Sequence, residues 1–142
     1  MNDSATRPGG DSDDKASGFS LENRVRSFGY AFAGIALLVR TQHNAWIHAI
    51  ATVLVVGVGV LLPLSRIEWS VLVLAIAVVW AAEGINTAIE KLGDAISTDE
   101  HPLVGQAKDA GAGAVLLAAI GAAIAGLLIL GPHLLAMLGL AG

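Results

Sequence analysis

Three long apolar segments dominate the 142-residue sequence and leave few folds open to it. They cover residues 45–64, 69–92 and 108–131, and each holds about the 20 residues that an α-helix needs to cross roughly 30 Å of hydrocarbon. The chain is 55% hydrophobic and only 14% charged, with a mean hydropathy of +0.71, which is typical of membrane proteins rather than of soluble domains. The sequence therefore predicts an all-α integral membrane protein with three transmembrane helices.

The residues before the first span divide into a polar tail and an amphipathic helix. Residues 1–18 contain few apolar side chains and many Gly, Asp and Ser residues, so they cannot bury enough surface to offset the entropy of ordering. We predict that they form a disordered cytoplasmic tail without a cleaved signal peptide, because no apolar segment follows the first methionine. From Ser20 onward, apolar residues recur every three or four positions, which predicts a helix over about residues 20–42 that lies in the membrane interface.

The distribution of Lys and Arg predicts the orientation of the chain. Seven of the eight basic residues lie before the first span or near the connection between the second and third spans, and only Arg66 lies in the other loop. By the positive-inside rule, the N-terminus and the 91–108 connection face the cytoplasm, and the C-terminus faces outward. We therefore expect a multi-pass protein of the cell inner (plasma) membrane. No basic face indicates binding to nucleic acid.

The cytoplasmic half of the second span carries a polar stripe. Four residues fall within an arc of roughly 80° when the helix is drawn at 100° per residue: Glu83, Asn86, Glu90 and Asp94. A charged group in the bilayer costs about 3 kcal/mol on insertion scales, so such groups usually face a protein interior and mark a functional path. Glu83 is placed to act as a general base on a lipid hydroxyl, and Glu90, nearer the cytoplasm, to hold Mg²⁺ with nucleotide phosphates. The alternative is a set of structural contacts between helices, with Asp94 solvated at the membrane edge.

The connection between the second and third spans contains a second group of polar residues. Its members are Asp99, Glu100, His101, Lys108 and Asp109. The side chain of Lys108 suits a contact with phosphate. The alternative is structural, since Asp109 in the first turn of the third span favours the helix dipole and Lys108 can extend to the lipid headgroups. Spacing alone does not decide between the two.

These segments resemble the prokaryotic diacylglycerol kinase and undecaprenol kinase family, which consists of small three-span membrane kinases unrelated to soluble kinases. The resemblance covers about residues 20–130. It lies in SFGYAFAGI from residue 27, RTQHNAWIH from residue 40, EGINTAIEKLGD from residue 83, His101, and AKDAGAGAVLL from residue 107. It implies a lipid kinase domain over residues 19–142 and a homotrimer whose active sites form between subunits near the cytoplasmic surface.

The resemblance also implies roles for single residues, with ATP as co-substrate and Mg²⁺ as cofactor. Glu83 matches the general base proposed for the family, and Glu90 matches a ligand of the metal that accompanies ATP. Asn86 matches the motif Asn between them and is assigned to nucleotide binding. The other positions assigned to the nucleotide are Tyr30, His101, Lys108 and Asp109, together with Asp99 and Glu100 in the adjoining segment.

Two positions depart from the family pattern. The family has a second metal-binding Glu twelve residues after the Tyr of the GYA segment, and this chain has Gln42 there. A Gln carbonyl can coordinate Mg²⁺ but adds no charge, so the alternative for Gln42 is an ordinary interfacial polar residue. A basic, lipid-facing position is occupied by Asn23, which is flanked by Arg24 and Arg26. Either Arg suits a contact with the lipid substrate or with nucleotide phosphate, and the alternative is that both simply anchor the chain to anionic lipids.

The remaining polar residues near the spans indicate no further site. His43, Asn44 and His48 do not form a metal-binding set, since two spaced His residues on an interfacial segment are more often hydrogen-bonded structural groups. His133, which follows Pro132 on the outer side, is expected to take no part.

Two functions compete for this sequence. The first is ATP- and Mg²⁺-dependent phosphorylation of a membrane lipid alcohol, either diacylglycerol or undecaprenol, with a slight preference for undecaprenol from the wording of INTAIE and HNAWIH. The second is a small non-enzymatic oligomer that forms a cation or proton pathway along the polar stripe. A pathway requires neither Tyr30 nor the pair Lys108 and Asp109, so these residues favour the kinase.

Overall fold

A computed structural model describes residues 21–96 and 101–140 of the chain. All regular structure in these residues is α-helical, without a strand, which confirms the predicted all-α class. The chain divides into two compact units, Met1–Ala33 and Gly34–Gly142. The predicted tail, Asp99 and Glu100 lie outside the described residues. The helices are α1 (Leu21–Thr41), α2 (His43–Leu61), α3 (Arg66–Ile96) and α4 (Pro102–Met137).

The α1 helix begins in the first unit with the predicted amphipathic pattern. Within that unit Val25, Phe28 and Phe32 are each about two-thirds or more exposed, at 71%, 66% and 69%. An exposed apolar stripe beside charged residues suits a helix lying at a membrane surface. The location of α1 in the interface stays a prediction.

The other three helices, α2, α3 and α4, are long and apolar enough to cross a membrane. This agrees with the three predicted spans and makes the chain a membrane protein. Many large apolar side chains on these helices are exposed, for example Val53, Leu74 and Leu127. Such faces suit contact with hydrocarbon, which replaces water as the solvent of a membrane helix.

A tight turn joins α2 to α3, and a capping box starts α3. The Ser65 hydroxyl accepts the backbone N–H of Glu68 at 3.3 Å, and Glu68 Oε2 accepts the backbone N–H of Ser65 at 2.7 Å. This reciprocal arrangement satisfies two N–H groups that a helix start leaves unpaired. Near the same turn, Leu62, Leu72 and Leu130 form a buried cluster that holds the ends of α2, α3 and α4 together.

The α3 and α4 helices extend beyond the segments expected from hydropathy. With 31 residues, α3 continues to Ile96, while α4 already begins at Pro102 and has 36 residues. Proline suits the first helical position, because its missing N–H would have no partner there. Much of the predicted cytoplasmic connection is therefore helix. The two helices pack against each other more extensively than either packs against α2.

Candidate active site

One face of α3 carries three buried polar side chains. Glu83 is 1% exposed, and Asn86 and Thr87 are 4% and 5% exposed. The Thr87 hydroxyl donates a hydrogen bond to the backbone carbonyl of Glu83 at 2.9 Å, and not to the Glu83 carboxylate. The part of the predicted stripe that includes Glu83 and Asn86 therefore faces the interior of the protein.

Glu90 accepts a hydrogen bond on each carboxylate oxygen. Asn86 Nδ2 donates to Oε1 at 3.0 Å from one turn earlier in α3, and Gln42 Nε2 donates to Oε2 at 2.8 Å. Gln42 lies between α1 and α2 with an extended backbone, and its side chain does not cap α2. The structure therefore brings together the two residues predicted to bind metal, although they are 48 positions apart in the sequence.

The Glu83 carboxylate is differently placed. Its two oxygens accept no hydrogen bond from any residue that the structure describes. The nearest ionisable partner is His48 on α2, whose Nε2 lies 3.9 Å from Glu83 Oε2. One turn along α2, the Thr52 hydroxyl accepts a hydrogen bond from Trp80 Nε1 at 3.1 Å and donates one to the His48 carbonyl at 2.7 Å. The Trp80 bond thus joins α3 to α2 one turn from the place where His48 lies beside Glu83.

A cavity of about 220 Å³ lies between α2, α3 and α4 next to these residues. Asn44, His48, Asn86 and Glu90 form its polar wall, and the rest of the wall is mostly apolar, with residues from α4. In the described residues Glu83 is not part of this wall, and His48 alone both lines the cavity and contacts the Glu83 carboxylate.

Gly111 on α4 is required by the packing of Asn86. A Cβ atom at this position would lie 2.5 Å from Asn86 Oδ1, closer than Cβ atoms come to other atoms in real structures. The same Oδ1 atom is buried and accepts no hydrogen bond from the described residues. The absence of a side chain at Gly111 thus allows Asn86 to point its amide N–H at Glu90.

At the end of α3 a surface ion pair joins the helix to α4. Lys108 Nζ donates to Asp94 Oδ1 at 2.6 Å. The aliphatic part of Lys108 passes over Gly93, where an added Cβ would lie 2.9 Å from Lys108 Cε. Asp94 is exposed, as in the alternative that places it at the membrane edge, but it is paired with Lys108 rather than simply solvated.

Comparison with known families agrees with this geometry. The family described as prokaryotic diacylglycerol kinase matches residues 29–130, which contain Gln42, Glu83, Asn86 and Glu90. The chain belongs to the prokaryotic diacylglycerol kinase family. This confirms the resemblance seen in the sequence and makes the protein a lipid kinase by family.

Similar proteins in this kinase family carry two names. An undecaprenol kinase from Bacillus subtilis is 43% identical over 114 residues, which are 80% of this chain and 93% of that protein. A diacylglycerol kinase from Synechocystis sp. is 42% identical over 117 residues, 82% of this chain and 67% of that protein. The diacylglycerol kinase of Escherichia coli is 31% identical over 116 residues, 77% of this chain and 89% of that protein.

The other residues predicted for the kinase site lie apart from the cluster or in a separate unit. His101 is the N-cap residue of α4, and both His101 and Asp109 are exposed. The predicted positions on α1 within the first unit are Tyr30, Arg24 and Arg26, and their roles stay predictions. Within the described residues, no three His, Cys, Asp or Glu side chains are grouped so that they could hold a metal ion.

Sequence reasoning missed two contacts of this kinase. His48, expected to be a structural residue, lies beside Glu83, and the sequence carries no signal for this contact. His133, expected to take no part, has Nε2 2.8 Å from Glu68 Oε1 and so joins α4 to the start of α3. In antiparallel helices, residues at matching depths lie opposite each other. This would suggest both contacts only if it were known which faces of the helices meet.

Proposed function

We propose that this kinase transfers the γ-phosphate of ATP, with Mg²⁺, to the hydroxyl of a membrane lipid alcohol. One observation carries the proposal. A helix able to cross the membrane has on one face both the buried Glu83, whose oxygens accept no hydrogen bond from the described residues, and the hydrogen-bonded Glu90. Burying a carboxylate without partners costs stability, so its retention at this place favours a chemical role.

Glu83 would act as the general base. Its carboxylate takes the proton of the lipid hydroxyl while the hydroxyl oxygen attacks the γ-phosphorus of ATP, and the bond from that phosphorus to the bridging oxygen of ADP breaks. Phosphoryl transfer depends mostly on positioning and on stabilisation of charge. A few side chains on rigid helices therefore suffice for the reaction.

The donor set around Glu90 fits Mg²⁺. This ion takes oxygen ligands, keeps several waters and is usually held by one or two carboxylates together with substrate phosphates. Glu90 offers a carboxylate, Gln42 an amide carbonyl, and Asn86 a buried Oδ1 atom that accepts no hydrogen bond from the described residues. When bound, the ion would neutralise charge on the phosphates. With Gln42 in place of a carboxylate, Glu90 would be the main charged ligand.

Lys108 would contact the nucleotide phosphates. In its present position it pairs with Asp94, and both side chains are accessible, at 36% and 64% exposure. A surface pair of this kind contributes little to stability, so Lys108 can exchange Asp94 for a phosphate at small cost. His101, Asp109, Asp99, Glu100 and Tyr30 are proposed to contact the nucleotide as well, and Arg24 and Arg26 the lipid.

The assembly and the orientation belong to the same proposal. We propose a homotrimer in the inner membrane, with the N-terminus and the end of α3 on the cytoplasmic side, where ATP is available. The small residues of α4 suit close helix contacts between subunits. Seven of the eight basic residues lie on the side assigned to the cytoplasm.

The decisive experiment measures transfer of labelled γ-phosphate to lipid by the protein in nanodiscs. We expect turnover by the wild type and none by Glu83→Gln, with an unchanged oligomer size. Glu68→Gln is the matched control, because it alters a carboxylate of the same helix far from the cavity, and it should keep turnover. Wild-type turnover in Glu83→Gln would remove Glu83 as the base, and a wild type that phosphorylates no lipid would overturn the function.

Side-by-side assays identify the acceptor. The similar identities to an undecaprenol kinase and to a diacylglycerol kinase, 43% and 42%, do not separate the two lipids. We propose undecaprenol as the preferred acceptor, because the residues of the motifs around Asn44 and Asn86 resemble those of the undecaprenol kinases more closely. Faster turnover on diacylglycerol at equal mole fraction in the bilayer would contradict this preference.

A further inference from the structure

We propose that His48 completes the base: the proton that Glu83 takes from the lipid hydroxyl passes to His48 Nε2 and leaves through the cavity. The inference rests on the proposed function of Glu83. It assigns to His48 a positioning and proton-accepting role, acting through Glu83 rather than by contact with phosphate.

The first argument is the isolation of Glu83. The Glu83 carboxylate is 1% exposed and accepts no hydrogen bond from the described residues, so it has little direct contact with solvent that could take up its proton. To act again, it must lose the proton gained in each turnover. A neighbouring base that lies beside Glu83 and also lines the cavity could accept this proton and release it to solvent.

His48 meets this requirement by its position. Its Nε2 lies 3.9 Å from Glu83 Oε2, and its side chain is 13% exposed and lines the cavity shared with Glu90. A distance of 3.9 Å is longer than a hydrogen bond, but such bonds are often long before substrate binds, and a small rotation or one water closes the gap. An imidazole gains a proton on one nitrogen while it can lose one from the other, which suits a relay.

The surroundings of His48 support a transient positive charge. From α3 it faces Glu83, and Glu90 lines the same cavity. From α4 the wall consists of Ala112, Val115, Leu116 and Ala119, which bring no charge. On α2 itself the neighbouring wall residues are Asn44 and Ile47, which are neutral. In the described residues no cation lines the cavity to oppose protonation of the ring.

The step balances without a further reactant. The hydroxyl proton moves to Glu83 as the oxygen bonds to phosphorus and ADP leaves. The proton then moves from the Glu83 carboxyl to His48 Nε2, which restores the Glu83 carboxylate. The opposite ring nitrogen, or the same one after a ring rotation, releases a proton to water in the cavity.

A second contact between α2 and α3 lies next to the contact of His48 with Glu83. The Trp80–Thr52 hydrogen bond lies one turn from the His48–Glu83 contact on both helices, and the Thr52 hydroxyl also bonds to the His48 carbonyl. This neighbouring contact offers a control. Thr52→Val removes the Trp80 bond between the same two helices and the bond to the His48 backbone, but it leaves the imidazole of His48 and the carboxylate of Glu83 in place.

The kinetic test compares His48→Gln with Thr52→Val in nanodiscs. The Gln amide can place an N–H where Nε2 lies but cannot accept the proton. We expect kcat to fall by about 100-fold or more with the KM for ATP within about twofold, whereas Thr52→Val keeps kcat within a few-fold. Equal losses in both variants, or an unchanged kcat in His48→Gln, would overturn the relay.

A spectroscopic test does not depend on turnover. Imidazole ¹⁵N shifts of the protein, which has four His residues, can be assigned by the loss of one set in His48→Gln. We expect Glu83→Gln to shift the His48 signals and to leave those of His133 unchanged. No shift at His48 would refute the contact even in an active enzyme. If Glu83→Gln shifts the His48 signals but the wild type phosphorylates no lipid, the contact stands. In that case the proposed function is overturned, and the relay with it.

Discussion

Two carboxylates of α3, Glu68 in its first turn and Glu83 just past its middle, each lie near a His, but their surroundings differ. At the start of the helix, one Glu68 oxygen accepts the Ser65 N–H and the other lies 2.8 Å from His133. Further along the same helix, the Glu83 oxygens accept no hydrogen bond from the described residues, and His48 stays at 3.9 Å. At Glu68, both carboxylate oxygens have a partner, and the contact with His133 joins α3 to α4. The arrangement at Glu83 leaves a buried charge available for chemistry.

The two carboxylates also differ in burial, because the Glu68 side chain is 30% exposed and the Glu83 side chain 1% exposed. A carboxylate with a partner on each oxygen loses little on burial, whereas an unpartnered one costs free energy that the rest of the fold must offset. Glu90 is intermediate, since both oxygens are paired but with the neutral amides of Gln42 and Asn86. Amide partners can rotate away and leave the oxygens to a cation.

After the complete loss expected for Glu83→Gln, the largest loss of activity should come from Glu90, and it tests whether the hydrogen-bonded carboxylate binds the metal. We expect Glu90→Gln to lower kcat/KM by about 100- to 1,000-fold, because the main charged ligand proposed for Mg²⁺ is lost. Glu68→Gln, at the other end of the same helix, should change kcat/KM by less than about twofold. Phosphate transfer in nanodiscs measures both. Similar losses in the two variants would remove the contrast.

Gly111 tests whether the position of Asn86 matters for turnover. A Cβ at Gly111 would lie 2.5 Å from Asn86 Oδ1, so Gly111→Ala must displace this side chain and weaken its bond to Glu90. We expect kcat to fall by about 10- to 100-fold, since a shift of about 1 Å can cost that much.

The control for this variant lies two residues along the same helix. Gly113→Ala adds a methyl group that meets nothing within 4 Å in this chain and should keep kcat within about twofold. If Gly111→Ala were as active as Gly113→Ala, Asn86 would have no positional role.

Gln42 allows a smaller and more specific change. In Gln42→Glu, two carboxylates would face each other where Gln42 Nε2 now lies 2.8 Å from Glu90 Oε2. Without Mg²⁺ they repel, and with Mg²⁺ they share a cation, so the concentration for half-maximal rate should fall about tenfold, equivalent to roughly 1.4 kcal/mol.

Thermal unfolding of the same variant checks the structural side of this prediction. We expect the midpoint of Gln42→Glu to lie below wild type in EDTA and to rise more steeply with added Mg²⁺. An unchanged Mg²⁺ dependence, in a variant that keeps its oligomeric state, would place Gln42 outside the coordination of the metal.

The smallest effect on activity is expected at the Glu68 end. His133→Gln replaces the ring nitrogen that lies 2.8 Å from Glu68 Oε1 with an amide, so it should lower the thermal midpoint slightly and leave kcat unchanged. A loss of kcat comparable to that of Glu83→Gln would show that the start of α3 takes part in catalysis.

Much of this fold was predictable because its signals are local. Hydropathy located the three spans, and the 100° repeat placed Glu83, Asn86 and Glu90 on one face. Hydropathy failed to show that α3 continues to Ile96 and α4 starts at Pro102, because helical residues outside the hydrocarbon need not be apolar. The contacts of His48 and His133 depend on which faces of separate helices meet, and no local pattern in one sequence carries that.

The length of α3 links the chemistry to the thickness of the bilayer. Its 31 residues span about 46 Å, about 16 Å more than the hydrocarbon that a typical membrane provides. With Arg66 at the outer boundary, as the proposed orientation requires, the hydrocarbon ends about 20 residues later, between Glu83 and Glu90. Lipids with shorter or longer acyl chains would shift this boundary along the helix. The depth at which a lipid hydroxyl meets Glu83 would then be set by the membrane as much as by the protein.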